Sequence, residues 1–561
     1  MRTRDGVTLR ADIYRPNVNG EAPVIVRRTP YGKQVNDLAM TFNEAHWFAS
    51  HGYIVVVQDT RGRFASEGRF YPFVYEGYDS YDAIEWAATL PGSTGDVGTI
   101  GQSYGAALQY QAAVLRPPHL RTAIPISGNL HSFANSVFHG GPFEFRFYLS
   151  YFVNMAQDTL QRMGRGDEYA KLMDLLVDPA VRFSPLKDEV YKRMPLRRWI
   201  DELGDAVPFL ADYFNHDTDG PYWWGVDVSR QLHNIGIPIL HVGSWYDFCL
   251  ADTMIEYTTV RDHGLGEHAR SHQALYIGPW AHLLPYNQPT STGTGDIDFG
   301  PEAEVFLLGD ELAWFDHFLK GSAQGLPCPA VRLFVMGENR WRDEDDWPLA
   351  RTQYEPWYLR ADGGLSTMAP AADEPADHYR YDPDDPVPTN GGHYIGAGTG
   401  VQDQRPTQAR DDVLVYTSDV LTADLELTGP VTAKLYVATS ARDTDFTVVL
   451  SDVRPDGYAH NIVDGVVRLS YYRRFDDPQP VEPGQVYEIE VDLWSVSHVF
   501  AAGHRLCVHV SSSDFPRWDR NPNTGNRFGT DVSVVVADQT VFHDSLRPSH
   551  IVLPVIPKEN P

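Results

Sequence analysis

The pentapeptide Gly101-Gln102-Ser103-Tyr104-Gly105 sets a serine between two segments of opposite character. Before it, Val97-Gly98-Thr99-Ile100 has the composition of a short buried strand. After it, Ala106 to Ala113 is a run of helix formers. A G-x-S-x-G turn from strand to helix strains the serine backbone and exposes its Oγ. It needs small residues on both sides, because a Cβ there would meet the adjoining strand and helix. The amides that open the helix face the place where negative charge would develop on a substrate. This setting points to an α/β architecture with Ser103 at the C-terminal end of a strand, and it makes Ser103 a candidate nucleophile.

The flanking pattern agrees. Thr8 to Tyr14 alternates like a half-buried strand, and Pro23–Val26 and Tyr53–Val57 are the β-branched runs expected of strands covered on both faces. Leu38 to His51, stopped by Gly52, and Tyr78 to Leu90 have helical spacing. Alternating strands and helices predict a sheet with crossover helices. From 132 to 230 no clear strand is visible. Aromatic residues crowd around helical stretches such as Glu168–Leu176 and Leu196–Leu203, which predicts helices inserted into the α/β domain. The strand pattern resumes at Ile237–Gly243 and Ala274–Gly278. Beyond 330, Val331–Val335, Val431–Val437, Phe446–Leu450, Val486–Val491 and Leu506–Val510 are short β segments between turns, the spacing of an antiparallel sandwich or jelly roll. The expected division is therefore 1–131 and 231–329 for an α/β domain, 132–230 for a helical insertion and 330–561 for an antiparallel sandwich or jelly roll.

At 561 residues the chain is too long for one core. No apolar run approaches the roughly 18–20 residues of a membrane span, and the N-terminus has no apolar leader core. Three widely separated cysteines, Cys249, Cys328 and Cys507, argue against a disulfide framework. Together these features predict a cytoplasmic protein. A formal net charge of -29 disfavours nucleic acid and anionic membrane as partners. Neither an H-E-x-x-H run nor a dinucleotide fingerprint is present, so no metal and no organic cofactor is expected. The composition leaves the oligomeric state open, a homodimer included.

A serine nucleophile needs a general base oriented by a carboxylate. On this kind of sheet the order along the chain is serine, acid, histidine, with the last two in loops after strands. Asp247 directly follows the strand that ends near Gly243, and His282 follows the one that ends near Gly278. Other histidines fit less well. His241 lies within a strand, His272 precedes one, and His317 falls in the helical stretch Leu312–Leu319.

With these motifs in place the chain resembles the cocaine esterase (CocE/NonD) family of serine hydrolases, related to X-Pro dipeptidyl-peptidases and α-amino-acid ester hydrolases. The similarity runs nearly end to end, through Thr3–Leu9, Arg28–Gly32, Gln58–Gly68, Gly101–Gly105, Gly243–Asp247, Gly278–His282, Asn339–Arg342 and Phe515–Gly525. It implies an α/β-hydrolase, a cap and a jelly roll, with Ser103 as nucleophile, His282 as base and then acid, and Asp247 orienting His282. It also implies an oxyanion hole made of the Tyr104 amide and the Tyr31 hydroxyl. Asp59 and Arg61 match family positions too, where a salt bridge or turn role is expected. An aromatic-rich cap suggests an apolar or aromatic acyl group, with Phe143, Phe145, Phe147, Trp223, Trp224 and Phe248 as pocket candidates.

The α-amino-acid ester hydrolases carry acids two and three positions after the orienting aspartate. Here Cys249 and Leu250 stand there, and the next acid, Asp252, belongs with the following helix. Substrates with a free α-amino group are therefore disfavoured. The expected substrate is a small-molecule ester or amide. An amidase, acylase or X-Pro dipeptidyl-peptidase is the alternative within enzymes, and a catalytically silent glycan- or partner-binding jelly roll is the alternative outside them.

Overall fold

The computed structural model describes residues 1–18, 20–34, 44–130, 132–177, 186–282, 295–321, 328–395 and 398–558. In the N-terminal part nine strands form one mixed sheet: β1 (Ala11–Tyr14), β2 (Ala22–Thr29), β3 (Ile54–Asp59), β4 (Ser93–Gln102), β5 (Leu120–Ile126), β6 (Ile239–Tyr246), β7 (Gln273–Ala281), β8 (Val331–Val335) and β9 (Arg340–Glu344). Their order is β1-β3-β2-β4-β5-β6-β7-β8-β9. The pairs from β3 to β8 are parallel, and β1 and β9 close the two edges antiparallel.

The alternation of β-branched residues fills both faces. Val24, Val26, Val56, Val97 and Ala123 point to one side, against helix α2 (Glu76–Ala88), α3 (Tyr104–Ala113) and the helix Leu250–His263. Ile25, Val55, Val57, Ile100 and Ile124 point to the other, against α1 (Glu44–Ser50) and the helix Leu307–Lys320. Gly98 in β4 lets that last helix approach, since a Cβ there would stand 2.7 Å from the Phe315 ring. The helix expected over 38–51 is present as α1; residues 38–43 lie outside the described residues.

Two assignments differ from the sequence expectation. Val331–Val335, expected at the start of the C-terminal sandwich, pairs parallel with β7 and extends the N-terminal sheet. A short apolar run does not identify its partner. Here the helix Leu307–Lys320 returns the chain beside β7, as a crossover helix does. The helix expected from Leu196 begins at Arg198.

Between β5 and β6 the chain is helical, with α4 (Phe145–Arg162) and the helices Gly166–Leu176, Arg198–Leu203 and Leu210–Asn215. After β9 the chain is β-rich. Its longest pairing joins Leu425–Thr439 antiparallel to Tyr487–Phe500, and Asp445–Val453 pairs with both Ala459–Arg468 and Arg505–Ser511. This C-terminal part also holds the start of α4. Asp519 Oδ1 accepts from the Phe143 amide at 2.6 Å, and the Pro516 carbonyl accepts from the Arg146 amide at 3.0 Å. Among the described residues no helix is long and apolar enough to cross a membrane.

Candidate active site

Ser103 stands between the end of β4 and the first residue of α3, with φ 58° and ψ -119°. A side chain at positive φ is strained, and the surroundings must hold it there. The Ser103 amide donates to the Ile126 carbonyl of β5 at 2.9 Å, and its carbonyl accepts from the Ala106 amide at 2.8 Å. The flanking glycines fit close to the backbone: a Cβ on Gly101 would lie 3.1 Å from the Gly105 carbonyl oxygen, and one on Gly105 3.3 Å from that of Arg28 in β2.

Three strand ends then converge. His282, one residue past β7, has Nε2 2.8 Å from Ser103 Oγ and Nδ1 2.9 Å from Asp247 Oδ1. Asp247, one residue past β6, is fully buried and accepts from the Cys249 amide at 2.9 Å and from Ser127 Oγ. Burial alone would raise the Asp247 carboxyl, but His282 and these donors outweigh it and hold the group below the usual carboxylate range. Gln102 Nε2 donates to the His282 carbonyl at 2.7 Å and fixes that loop. A buried carboxylate, an imidazole and a hydroxyl in hydrogen-bonded series can pass a proton from the serine to the ring as the serine attacks.

The Tyr31 hydroxyl lies near enough to Ser103 to feel it electrostatically. Burial raises its phenol above the ordinary value, opposed by Ser103 and by Arg63, so the phenol stays neutral. The turn carrying it is braced by Arg63, whose Nε donates to the Pro30 carbonyl at 2.9 Å. Tyr104 divides its roles. Its amide is the first of α3 and has no acceptor within the helix. Its hydroxyl points away, donating to Glu76 Oε1 at 3.1 Å and accepting from the Phe73 amide at 3.1 Å.

The pocket candidates separate. The Phe248 ring centre lies 4.6 Å from that of His282, and Phe147 lies 4.5 Å from Phe248. These two reach the site. Phe143 and Trp223 instead fill the core of the helical segment, among Phe138, Phe214 and Tyr213, and Phe145 packs on Tyr191 and Phe515. Trp224 is on the surface, 43% exposed, beneath the Arg230 guanidinium. The helical segment needs a core of its own, and Phe143, Phe145 and Trp223 supply part of it. Asp59 holds a turn by accepting from the Lys33 and Ala65 amides, and Arg61 pairs with Asp79 and Asp5. His241 is buried between Tyr110 and Gln273. Sequence reasoning missed Ser127, Gln102 and the Cys249 side chain, whose Sγ lies 3.9 Å from His282 Nδ1. Ser127 directly follows β5, and the rule that picked out Asp247 and His282 after their strands could have found it.

Comparison with known proteins identifies the family of the chain. Residues 5–284 match the model of the X-Pro dipeptidyl-peptidase (S15) family, and residues 327–552 match that of the X-Pro dipeptidyl-peptidase C-terminal non-catalytic domain. The cocaine esterase of Rhodococcus sp. (strain MB1 Bresler) is 35% identical over 99% of this chain and 97% of its own length. An aminopeptidase from a marine sediment Thaumarchaeota archaeon superposes with a TM-score of 0.85 at 26% identity, covering 99% of this chain and 95% of its own. An α-amino-acid ester hydrolase shares the fold, with a TM-score of 0.82 at 24% identity, covering 99% and 95%. The chain belongs to the cocaine esterase (CocE/NonD) family of serine hydrolases.

Proposed function

We propose that this protein hydrolyses carboxylic esters through an acyl-enzyme on Ser103. The observation that carries the reading is the continuous series Ser103 Oγ, His282 Nε2, His282 Nδ1 and Asp247 Oδ1, with links of 2.8 and 2.9 Å. His282 takes the serine proton as Oγ attacks the ester carbonyl, then returns it to the leaving alcohol. It next activates the water that releases the acid. Asp247 holds the tautomer with the proton on Nδ1 and stabilises the imidazolium. The Tyr31 hydroxyl and the Tyr104 amide receive the charge that develops on the carbonyl oxygen.

In this reading residues 132–230 are a cap over an α/β-hydrolase domain made of 1–131 and of the chain from 231 to the end of β9, and the β-rich part after β9 is a jelly-roll sandwich. Phe147 and Phe248 face an apolar or aromatic acyl group. Asp252 accepts from the Leu130 amide at 3.0 Å and from Ser132 and Ser136 hydroxyls, and burial raises its carboxyl to about 7. A carboxyl so occupied does not receive a substrate ammonium, which favours esters without an α-amino group.

The test is a panel of aryl esters, a benzoyl ester, matched anilides, an X-Pro anilide and paired α-amino and des-amino esters. Wild type is expected to turn over the esters readily and the anilides only slowly, and Ser103→Ala to lose on the order of 10⁶-fold in kcat for the esters. Preferential cleavage of X-Pro anilide or a large advantage for α-amino esters would replace the ester reading, and turnover surviving in Ser103→Ala would remove Ser103 from the mechanism.

A further inference from the structure

Cys249 has no part in the proton relay, yet its sulfur lies against it. The oxygen of Asp247, the sulfur of Cys249 and a ring nitrogen of His282 all lie within 4.8 Å of one another, and all three residues are buried. The Sγ to Nδ1 separation is 3.9 Å and the Nδ1 to Oδ1 separation is 2.9 Å. Tetrahedral zinc, with bonds of about 2.3 Å to sulfur and about 2.0 Å to nitrogen and oxygen, has ligand-to-ligand edges of roughly 3.3–3.6 Å. The Nδ1 to Oδ1 edge is shorter than that range and the Sγ to Nδ1 edge longer, while the Sγ to carboxylate edge is at most 4.8 Å. Side-chain shifts of up to about 1 Å therefore bring the atoms to bonding positions. Asn129 Nδ2 already donates to the sulfur at 3.8 Å, the kind of outer contact that steadies a ligating thiolate.

We propose that Asp247, Cys249 and His282 form an inhibitory site for a thiophilic divalent cation such as zinc. The inference rests on the ester-hydrolase reading for its inhibitory effect, though not for binding. Charge favours it. A dication with one carboxylate, one thiolate and a neutral imidazole is neutral overall, which a buried site requires. The balance is simple. The cation bonds to Oδ1, Sγ and Nδ1, the thiol proton leaves to solvent, and the imidazole proton moves from Nδ1 to Nε2. One proton is released for each cation bound. With its proton on Nε2, His282 is a donor toward Ser103 and can no longer accept the serine proton.

The experiment titrates zinc into metal-free wild type, Cys249→Ala and Cys249→Ser, with each rate normalised to that protein's own metal-free rate and folding checked by thermal melting. Cobalt absorption is recorded in parallel on Ser103→Ala, where turnover plays no part, with and without Cys249→Ala. The expected result is inhibition by one equivalent of zinc, reversed by a chelator, and weakened on the order of 100-fold or more in both Cys249 variants. Cobalt should give a sulfur-to-metal charge-transfer band in Ser103→Ala that vanishes when Cys249→Ala is added. Equal zinc sensitivity in all three proteins, or cobalt binding with no sulfur band, would overturn the site. If wild type hydrolyses no ester, the functional reading fails while the cobalt band still decides the site.

Discussion

The strain at Ser103 has a chemical use. Its positive φ turns Oγ out of the strand end toward His282 Nε2, while the first amide of α3 stays beside it. In the proposed mechanism the neutral Tyr31 phenol, which burial keeps protonated beside Ser103, receives the charge of the developing oxyanion. Replacing Tyr31 with Phe should lower kcat for ester hydrolysis about 10²–10³-fold, with a smaller change in KM. Stopped-flow or steady-state kinetics on a benzoyl ester would check this, and an unchanged kcat would move the oxyanion elsewhere. The positions of Ser103, Asp247 and His282 were legible because each follows a strand in a recognisable local pattern. Tyr31 was legible only through resemblance, since nothing in Thr29-Pro30-Tyr31 separates it from an ordinary turn. Which aromatics reach His282 was not legible. Phe143, Phe145 and Phe147 lie within five residues of sequence, yet only Phe147 packs toward the Phe248 and His282 rings. That selection depends on the rotation of α4, which its neighbours determine.

At the scale of elements, α4 is the piece that both lines the site and depends on a distant part of the chain. The turn preceding it passes Gly140, with φ 60°, directly over Val466 in the strand Ala459–Arg468. A Cβ on Gly140 would stand 1.9 Å from the Val466 carbonyl oxygen, and the Arg468 amide already donates to the Gly140 carbonyl at 2.8 Å. Both the backbone conformation and the space exclude a side chain. Gly140→Ala should cost about 2–4 kcal/mol of stability, seen as a lower thermal midpoint. An unchanged midpoint would mean that this contact is not formed. The same dependence explains why strand membership was harder to foresee than strand existence. Val331–Val335 was identifiable as a β segment, but whether it pairs with β7 or joins the C-terminal strands is decided by the route of the preceding helix.

Across the whole molecule, a buried ion network joins the helical segment to the C-terminal part. Glu144, just before α4, lies 3.8 Å from Arg517, which also pairs with Asp464. Burial pushes the Glu144 carboxyl up to about 8 despite the attraction of Arg517. The unfolded chain releases this proton near the ordinary value of 4.5, so between 4.5 and about 8 the native state holds more protons. The Glu144 contribution is full below 4.5 and is lost as pH rises through about 8. Glu144→Gln removes that loss. Its stability relative to wild type should therefore improve with pH across the window, by at most about 1.4 kcal/mol per pH unit. Denaturant midpoints at several pH values would measure it, and parallel curves for the two proteins would show that Glu144 is ionised throughout.

The opening amides around α4 are donors that a free helix start leaves unpaired. Here they are received by Asp519 and by the Pro516 and Arg517 carbonyls, which lie more than three hundred residues further along the chain. A gene trimmed just after β9 would keep the whole N-terminal sheet and every member of the proton relay, and lose the acceptors that seat Phe147 beside it. The two halves thus behave less like a catalyst with an appendage than like the two jaws of one vice, and neither is a minimal unit from which the other can be cut away.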